Sequence, residues 1–215
     1  MPRRNGPRRP TEGSRQGAKG DGAGRHRRFL RYSHIFASVV HEILEMKFLG
    51  EVSPYPLTLS QFHLLKVIGL NGDHQMGEVA NVLGVSPPAA TKNIDKLERL
   101  GLIVRSPSKG DRRATLLSPS PKGRRLVRKY EGLKAERLAP VLNEFAPEEV
   151  DRLSGLLERF SVSLLNMEQP GHGFCLRCSA YIESACPVGR MRGGCPYQRV
   201  RGARGGEAAA KEEME

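Results

Sequence analysis

The chain has 215 residues and a formal net charge of +12, and 38% of its residues are hydrophobic. It can therefore bury a core and still present a basic surface, which favours a polyanionic partner such as double-stranded DNA over an anionic membrane surface. No apolar run reaches the roughly 18 residues of a membrane helix, and no apolar block near the start indicates a secretory leader. We therefore expect a cytoplasmic protein with no membrane partner.

Composition divides the chain into four predicted segments. Residues 1–28 are rich in Arg, Gly and Pro and are expected to be a disordered basic tail, either solvated or serving as an arm on phosphates. Residues 29–169 carry globular patterns, and residues 170–200 contain all four cysteines. Residues 201–215 are predicted to be a second disordered tail.

The globular segment begins with a helix predicted over about Phe29–Leu49, where apolar residues recur every three or four positions. Pro54 and Pro56 must break this helix. Ser60 is then predicted to cap a second, strongly apolar helix.

The stretch Met76–Leu100 has the pattern of a helix-turn-helix. A short helix with an apolar face precedes Gly84, which suits a left-handed C-cap because glycine has no Cβ. Ser86 is a good N-cap and Pro87 fits the first turn of a second amphipathic helix. An ordinary helical hairpin in a core is the alternative to this motif.

A two-stranded β-hairpin is predicted directly behind the second helix, with strands at Leu102–Val104 and Ala114–Leu117. Its tip is basic, carrying Lys109, Arg112 and Arg113, as a contact with phosphate or the minor groove requires. This wing favours the DNA-binding interpretation over an ordinary hairpin. The predicted fold class is mostly α: a winged helix-turn-helix with flanking helices and a small cysteine-rich segment.

These elements follow the order and separations of the MarR regulators, and the resemblance lies in the run LGVSPPAATKNIDKLERLGLIVRSPSKGDRRATLLSPSPKG. It extends over roughly residues 29–167. The resemblance implies that Arg113 of the wing reaches into the minor groove, that Asp111 helps to hold it, and that the start of the second helix faces the major groove. One departure is the start of the next helix, Ser118–Pro121, where the family often has threonines. The predicted DNA-contacting residues are Ser86, Pro88, Ala89, Thr91, Lys92, Asn93, Lys109, Asp111, Arg112 and Arg113.

The chemistry of the second helix supports the same assignment. Thr91–Asn93 lie on its first turns, where lysine can contact guanine or phosphate and asparagine can pair with adenine. Asp95 and Glu98 would repel phosphate, so we expect them on the side away from DNA. Lys96 and Arg99 are their predicted partners on the helix surface.

An apolar seam of heptad type over Val150–Met167 needs a partner helix, either in the same chain or in a second copy. Pro140 is expected to kink or interrupt the helix before it. The MarR resemblance implies that the terminal helices form a homodimer, which would read two half-sites about one helical turn apart. It also implies a repressor with a small-molecule effector pocket between the DNA lobe and the dimer helices.

The four cysteines predict a metal site, because two thiolates on one turn and two more complete a tetrahedral set. A disulfide pair is disfavoured in a reducing compartment, and a thiol switch or unligated cysteines remain open. The steps Cys186-Pro187 and Cys195-Pro196 favour a [4Fe–4S] cluster slightly over zinc. The ligands would be Cys175, Cys178, Cys186 and Cys195.

The sequence shows no phosphate-binding glycine loop, no paired carboxylates in an apolar setting and no catalytic triad pattern, so no enzyme is predicted. Two functions remain. The first is a sequence-specific transcriptional regulator whose cysteine segment is structural or responds to redox state or metal. The second is a metal- or electron-carrying accessory protein that uses the winged helix for protein contacts.

Overall fold

The computed structural model of the chain describes residues 16–70, 74–75, 86–108 and 115–168, together with Phe174 and Cys186. It divides into two units, Met1–Lys47 and Phe48–Glu215. The described chain is mostly helical with one small antiparallel sheet, which confirms the predicted mostly α fold with a β-wing. The predicted cysteine-rich segment lies outside the described residues apart from Phe174 and Cys186. No helix within these ranges is both long enough and apolar enough to cross a bilayer.

The first unit is helical from Gln16 onward: α1 spans Gln16–Val39, and a π-helical segment continues over Val40–Lys47. The predicted start near Phe29 was therefore too late, and Gln16–Arg28, within the tail expected to be disordered, is helical. Extending an existing helix costs far less than starting one, so the apolar turns after Phe29 can support a polar extension. Apolar side chains of α1 and of the π-helical segment are exposed, among them those of Phe29, Tyr32, Ile35, Phe36, Val39 and Ile43.

The second unit begins with α2, Phe48–Val52, and α3, Leu59–Leu70. The break between them contains Pro54 and Pro56, as predicted. The N-cap of α3 is Thr58 and not Ser60, because Thr58 Oγ1 accepts from the Gln61 amide at 3.3 Å while Gln61 Oε1 accepts from the Thr58 amide at 3.1 Å. This reciprocal pair is a capping box, whose spacing of Thr and Gln was readable in the sequence.

The sheet has three strands: β1, His74–Gln75, β2, Ile103–Pro107, and β3, Thr115–Pro119. Their order is β1-β3-β2 and both pairings are antiparallel. Strands β2 and β3 are the predicted wing. Strand β1 was not predicted, because two residues are too few to show an alternating pattern.

The described residues form three further helices. Helix α4, Pro87–Arg99, lies between β1 and β2, and α5, Pro121–Leu142, and α6, Pro147–Met167, follow β3. Helix α5 continues through Pro140 and ends two residues later, so the proline, which cannot donate to the carbonyl four residues earlier, lies in the last turn of the helix. The predicted first helix of the helix-turn-helix, within residues 76–83, lies outside the described residues.

The core lies where α3, α4, the sheet and the first half of α5 meet. Every residue of Gln61–Ile68 is buried, so α3 is surrounded by the other elements. Helix α6 differs, because none of its residues is buried. The largest fully buried side chains are those of Phe62, Leu64, Leu65, Ile68, Ile94, Leu97, Leu102, Ile103, Leu117 and Val67.

Candidate nucleic-acid interface

Helix α4 begins where its sequence predicts. Ser86 occupies the N-cap position with extended backbone angles, although its side chain makes no capping hydrogen bond. Pro87 and Pro88 follow at the first helical positions, where no intrahelical amide bond is lost. The helix ends before Gly101, whose φ of +68° is the left-handed conformation that glycine adopts without strain.

One face of α4 is fixed in the core and the opposite face is open. Ala90, Ile94 and Leu97 are buried against α3 and the sheet. Successive helical residues rotate by about 100°, so the opposite face carries the residues that line an open concavity of about 920 Å³. They are Pro87, Pro88, Thr91, Lys92, Asp95, Glu98 and Arg99.

Three predicted DNA-contacting residues, Pro88, Thr91 and Lys92, are brought together on this open face. Lys92 is exposed and Thr91 is half-buried. The Thr91 hydroxyl donates to the Pro87 carbonyl at 2.9 Å, so its oxygen can still accept hydrogen bonds. Ser86 is exposed just before the helix, while Ala89 is half-buried at its edge. The open face can therefore present a cation and a hydroxyl to a nucleic acid.

Asn93 is not among the residues that line this face. Its Oδ1 accepts a hydrogen bond of 3.2 Å from Nε2 of Gln61, a buried residue that also caps α3. The contact ties α4 to the start of α3. Its amide nitrogen and the second lone pair of its oxygen could still contact a base, but the bond to Gln61 restricts how the side chain is oriented.

Asp95 and Glu98 lie on the same open face as Lys92, so the expectation that they point away from this surface was wrong. Their predicted partners were also wrong. Arg105 of β2 pairs with Asp95 through Nη2 and with Glu98 through Nε at 3.1 Å. Lys96 instead donates to the Pro56 carbonyl at 2.7 Å.

The wing consists of the antiparallel strands β2 and β3 and the residues that connect them. The register of β2 and β3 runs from Ile103 opposite Pro119 to Pro107 opposite Thr115, so residues 108–114 join two paired strand ends. The predicted tip contacts Lys109, Asp111, Arg112 and Arg113 lie outside the described residues. Their roles remain predictions.

Ser120 and Lys122, at the start of α5, are hydrogen-bonded to Leu100 and Gly101 at the end of α4, and we call this contact the joint. Ser120 Oγ accepts from the Gly123 amide at 3.0 Å and donates to the Gly101 carbonyl at 2.7 Å. Lys122 Nζ donates to the Leu100 carbonyl at 2.8 Å, which satisfies a terminal acceptor of α4. The unusual Ser118–Pro121 stretch therefore provides a sound N-cap and a link between the two helices.

Gly123 is required in this joint by close packing. A Cβ built there would overlap the carbonyl oxygen of Leu102 and lie 3.0 Å from Cδ1 of Leu65. Only glycine lets the first turn of α5 approach the start of β2 so closely.

A buried cation lies next to this joint. Lys66 of α3 is 2% exposed, and its Nζ is 2.6 Å from Oε1 of Glu131 on α5. Lys134 reaches the other Glu131 oxygen at 2.7 Å. Burial acts to raise the pKa of Glu131, but the hydrogen bonds and charges of Lys134 and Lys66 outweigh it, and the pKa is lowered.

The cysteine segment is almost wholly outside the described residues. Cys175, Cys178 and Cys195 fall there, and Cys186 is described as buried. Among the residues that the structure does describe, no group of three or more His, Cys, Asp or Glu side chains could hold a metal ion. The predicted four-thiolate site therefore remains a prediction.

Comparison of the sequence with models of known protein families identifies one family that it resembles. The model of the MarR family matches residues 57–115, which run from the turn before α3 to the start of β3. This confirms the resemblance seen in the sequence: the matched segment is similar to the winged helix of the MarR family.

Solved structures agree on the fold. The protein RV1404 of Mycobacterium tuberculosis is 26% identical, with a TM-score of 0.57 over 62% of this chain and 90% of that one. FabT of Streptococcus pneumoniae, solved in complex with DNA, is 24% identical, with a TM-score of 0.57 over 66% of this chain and 99% of its own. A MarR family protein of Bacillus stearothermophilus is 22% identical, with a TM-score of 0.52 over 64% of this chain and 96% of its own.

Proposed function

We propose that this chain is a sequence-specific transcriptional regulator, acting as a repressor, that binds double-stranded DNA as a homodimer. The observation that carries the proposal is the open face of α4, which Lys92, an exposed residue, and the half-buried Thr91 both line. The basic wing sequence and the net charge of +12 complement a phosphate backbone. FabT, which shares the fold, was solved with DNA.

The homodimer is supported by apolar surface that a single chain leaves open. On α6, Leu153, Leu157 and Leu164 recur at intervals of four and seven residues and are all exposed. Exposed apolar rows of this length mark interaction sites. A second copy of the same helix is a suitable partner, because heptad-type spacing matches a helix–helix seam.

The test of DNA binding uses the wing residue predicted from the resemblance. Arg113→Ala should weaken binding to a duplex enriched from a randomised pool and lower the salt slope by roughly one unit, because one phosphate or groove contact is lost. The matched control is Arg152→Ala, which removes the same charge from an exposed position on α6. Equal affinities for Arg113→Ala and the unsubstituted protein at two salt concentrations would remove Arg113 from the interface.

We also propose a small-molecule effector, and a cavity of about 250 Å³ between α3, β3 and α5 supports it. Two arginines, Arg124 and Arg128, and the buried Lys66 give it an excess of positive charge over Glu131, which suits a small aromatic carboxylate such as benzoate. The remaining lining residues are Leu65, Gly69, Pro119 and Val127.

Filling the cavity tests the effector proposal. Benzoate should lower DNA affinity of the unsubstituted protein, and Val127→Trp should abolish that response while DNA binding without benzoate persists. A benzoate response that survives Val127→Trp would place the effector elsewhere. No response to benzoate in either protein would contradict an aromatic carboxylate as the effector class.

For the cysteine segment we propose one metal centre held by Cys175, Cys178, Cys186 and Cys195, with a [4Fe–4S] cluster favoured over zinc. The spacing of the four cysteines supports this proposal. Anaerobically purified protein should carry about one zinc or one cluster per chain, and replacing any one cysteine with serine should release it. A brown protein that bleaches in air indicates the cluster, and metal well below one equivalent would contradict the site.

The same preparation separates a redox- or metal-responsive regulator from the accessory protein that is the alternative function. If loss of the centre changes DNA affinity, the segment is regulatory. If affinity stays the same, the segment is structural or docks a partner. An accessory protein would retain its metal and show no enrichment of any duplex.

A further inference from the structure

Two carboxylates occupy the part of α4 that the proposed function assigns to DNA. Asp95 lies between Thr91, Lys92 and Arg99 on the open face, and Glu98 lies beside it. Their side chains are 47% and 41% exposed. A phosphate approaching Lys92 would meet both negative charges, and like-charge juxtaposition is strongly unfavourable at an interface.

Arg105 is placed to cancel this repulsion. It lies on β2, and its guanidinium contacts both carboxylates at once, with Nη2 on Asp95 and Nε 3.1 Å from Glu98. The planar guanidinium presents several donors in a fixed fork, which suits two acceptors on successive turns of one helix. Arg105 is also the most enclosed of the three side chains, at 29% exposure.

The ion pairs of Arg105 with Asp95 and Glu98 are expected to contribute little to the free energy of folding. Ion pairs between partly exposed side chains contribute about 0–1 kcal/mol, because solvent screens them. The larger consequence is for charge on the open face. Without Arg105, Asp95 and Glu98 cancel Lys92 and Arg99; with it, the face and its partner carry one net positive charge.

We infer that Arg105 is a positioning residue for DNA binding, which acts by neutralising Asp95 and Glu98 on the DNA-facing side of α4. It also joins β2 to α4 and so fixes the position of the first wing strand relative to α4. The inference rests on the proposed DNA-binding function and adds a residue outside the predicted contact set. It predicts that the carboxylates become harmful to binding only when their arginine is removed.

The experiment uses the full chain and a fluorescent mixed-sequence duplex of roughly 30 base pairs, about three helical turns. Arg105→Gln should weaken binding about tenfold or more, because two unpaired carboxylates then face phosphate. The triple variant Arg105→Gln, Asp95→Asn, Glu98→Gln should return to within about twofold of the original affinity. Arg105→Lys, which keeps the charge, should bind far better than Arg105→Gln.

Two controls separate charge neutralisation from folding and from general loss of charge. The melting temperature of Arg105→Gln should stay close to that of the original protein, since the ion pairs are partly exposed. Arg152→Gln, which removes one charge from α6, should bind much better than Arg105→Gln.

Either of two results overturns the inference: Arg105→Gln binds as well as the original protein, or the triple variant stays as weak as Arg105→Gln. The second result would mean that Arg105 contacts DNA itself or acts only by holding the wing. Failure of the original protein to bind any duplex would instead overturn the proposed function, so the two failures are distinguishable.

Discussion

Helices α4 and α6 carry apolar residues in similar helical patterns, but these residues are buried in α4 and exposed or half-buried in α6. In α4 the apolar face is covered, with Ala90, Ile94 and Leu97 all buried. In α6 no residue is buried, and Leu153, the first leucine of its apolar row, is 52% exposed. The amphipathic pattern alone therefore does not reveal whether a helix packs within its own chain.

The difference follows from what surrounds each helix. Helix α4 is held by the core at its apolar face, by Arg105 from β2 and by Lys122 from α5. At the start of helix α6, the Glu149 carboxylate accepts from the Ala146 amide at 2.9 Å, and none of the residues of this helix is buried. The apolar face of α4 is covered within the chain, and the apolar row of α6 is the surface that the proposed homodimer would cover.

Charging the apolar row of α6 should have the largest effect. Leu157→Asp should raise the dimer dissociation constant by at least roughly a hundredfold, because a carboxylate buried at a helix–helix contact costs several kcal/mol unless it is paired. The fold of the second unit should persist, since Leu157 is not part of its core. Sedimentation velocity measures the first effect and circular dichroism the second.

The matched control is Gly155→Asp, which adds the same charge on the opposite side of α6, where an added Cβ meets nothing within 4 Å. It should remain dimeric. If both variants dissociate equally, the apolar row is not the interface.

Two glycines of α5 should respond in opposite directions. Gly123→Ala should destabilise the fold by about 2–4 kcal/mol, because its Cβ overlaps the Leu102 carbonyl. Gly132→Ala has open space around its Cβ and should stabilise the helix by about 0.5–1 kcal/mol. Urea unfolding of both variants gives the comparison, and equal effects would contradict the close joint between α4 and α5.

The buried ion pair should produce a smaller and pH-dependent effect. Glu131→Gln should destabilise by about 1–3 kcal/mol near neutral pH, because Lys66 loses its carboxylate partner. The folded pKa of Glu131 is lowered, so its stabilisation is present above the unfolded value of 4.5 and disappears as pH falls through the folded pKa. Unfolding curves of the two proteins should therefore converge in acid, and a constant difference across that range would contradict the pairing.

The smallest effect concerns the cap of α3. Thr58→Ala should cost about 1 kcal/mol, since it removes the acceptor for the Gln61 amide. Ser60→Ala, at the residue that the sequence first suggested as the cap, should change stability by less than about 0.5 kcal/mol. Thermal unfolding of both variants decides between the two caps.

The sequence predicted most of the described helices, the wing strands and the family resemblance, because periodicity and turn residues are local properties. Contacts between distant positions were not predictable. Arg105 and Asp95 are ten residues apart, and Gln61 and Asn93 are 32 apart, so only the fold brings them together. Asp95 illustrates this: its place on the open face follows from helical spacing, but its partner depends on the register of β2.

The central claim is that two copies of the chain bind one DNA duplex through α4 and the wing. It is tested most directly by sedimentation of the full chain, alone and with a duplex enriched from a randomised pool. We expect a dimer alone, one dimer on each duplex, and an enriched sequence with two inverted half-sites about one helical turn apart. A monomer that binds one chain per duplex, or a pool that shows no enrichment, would contradict the account.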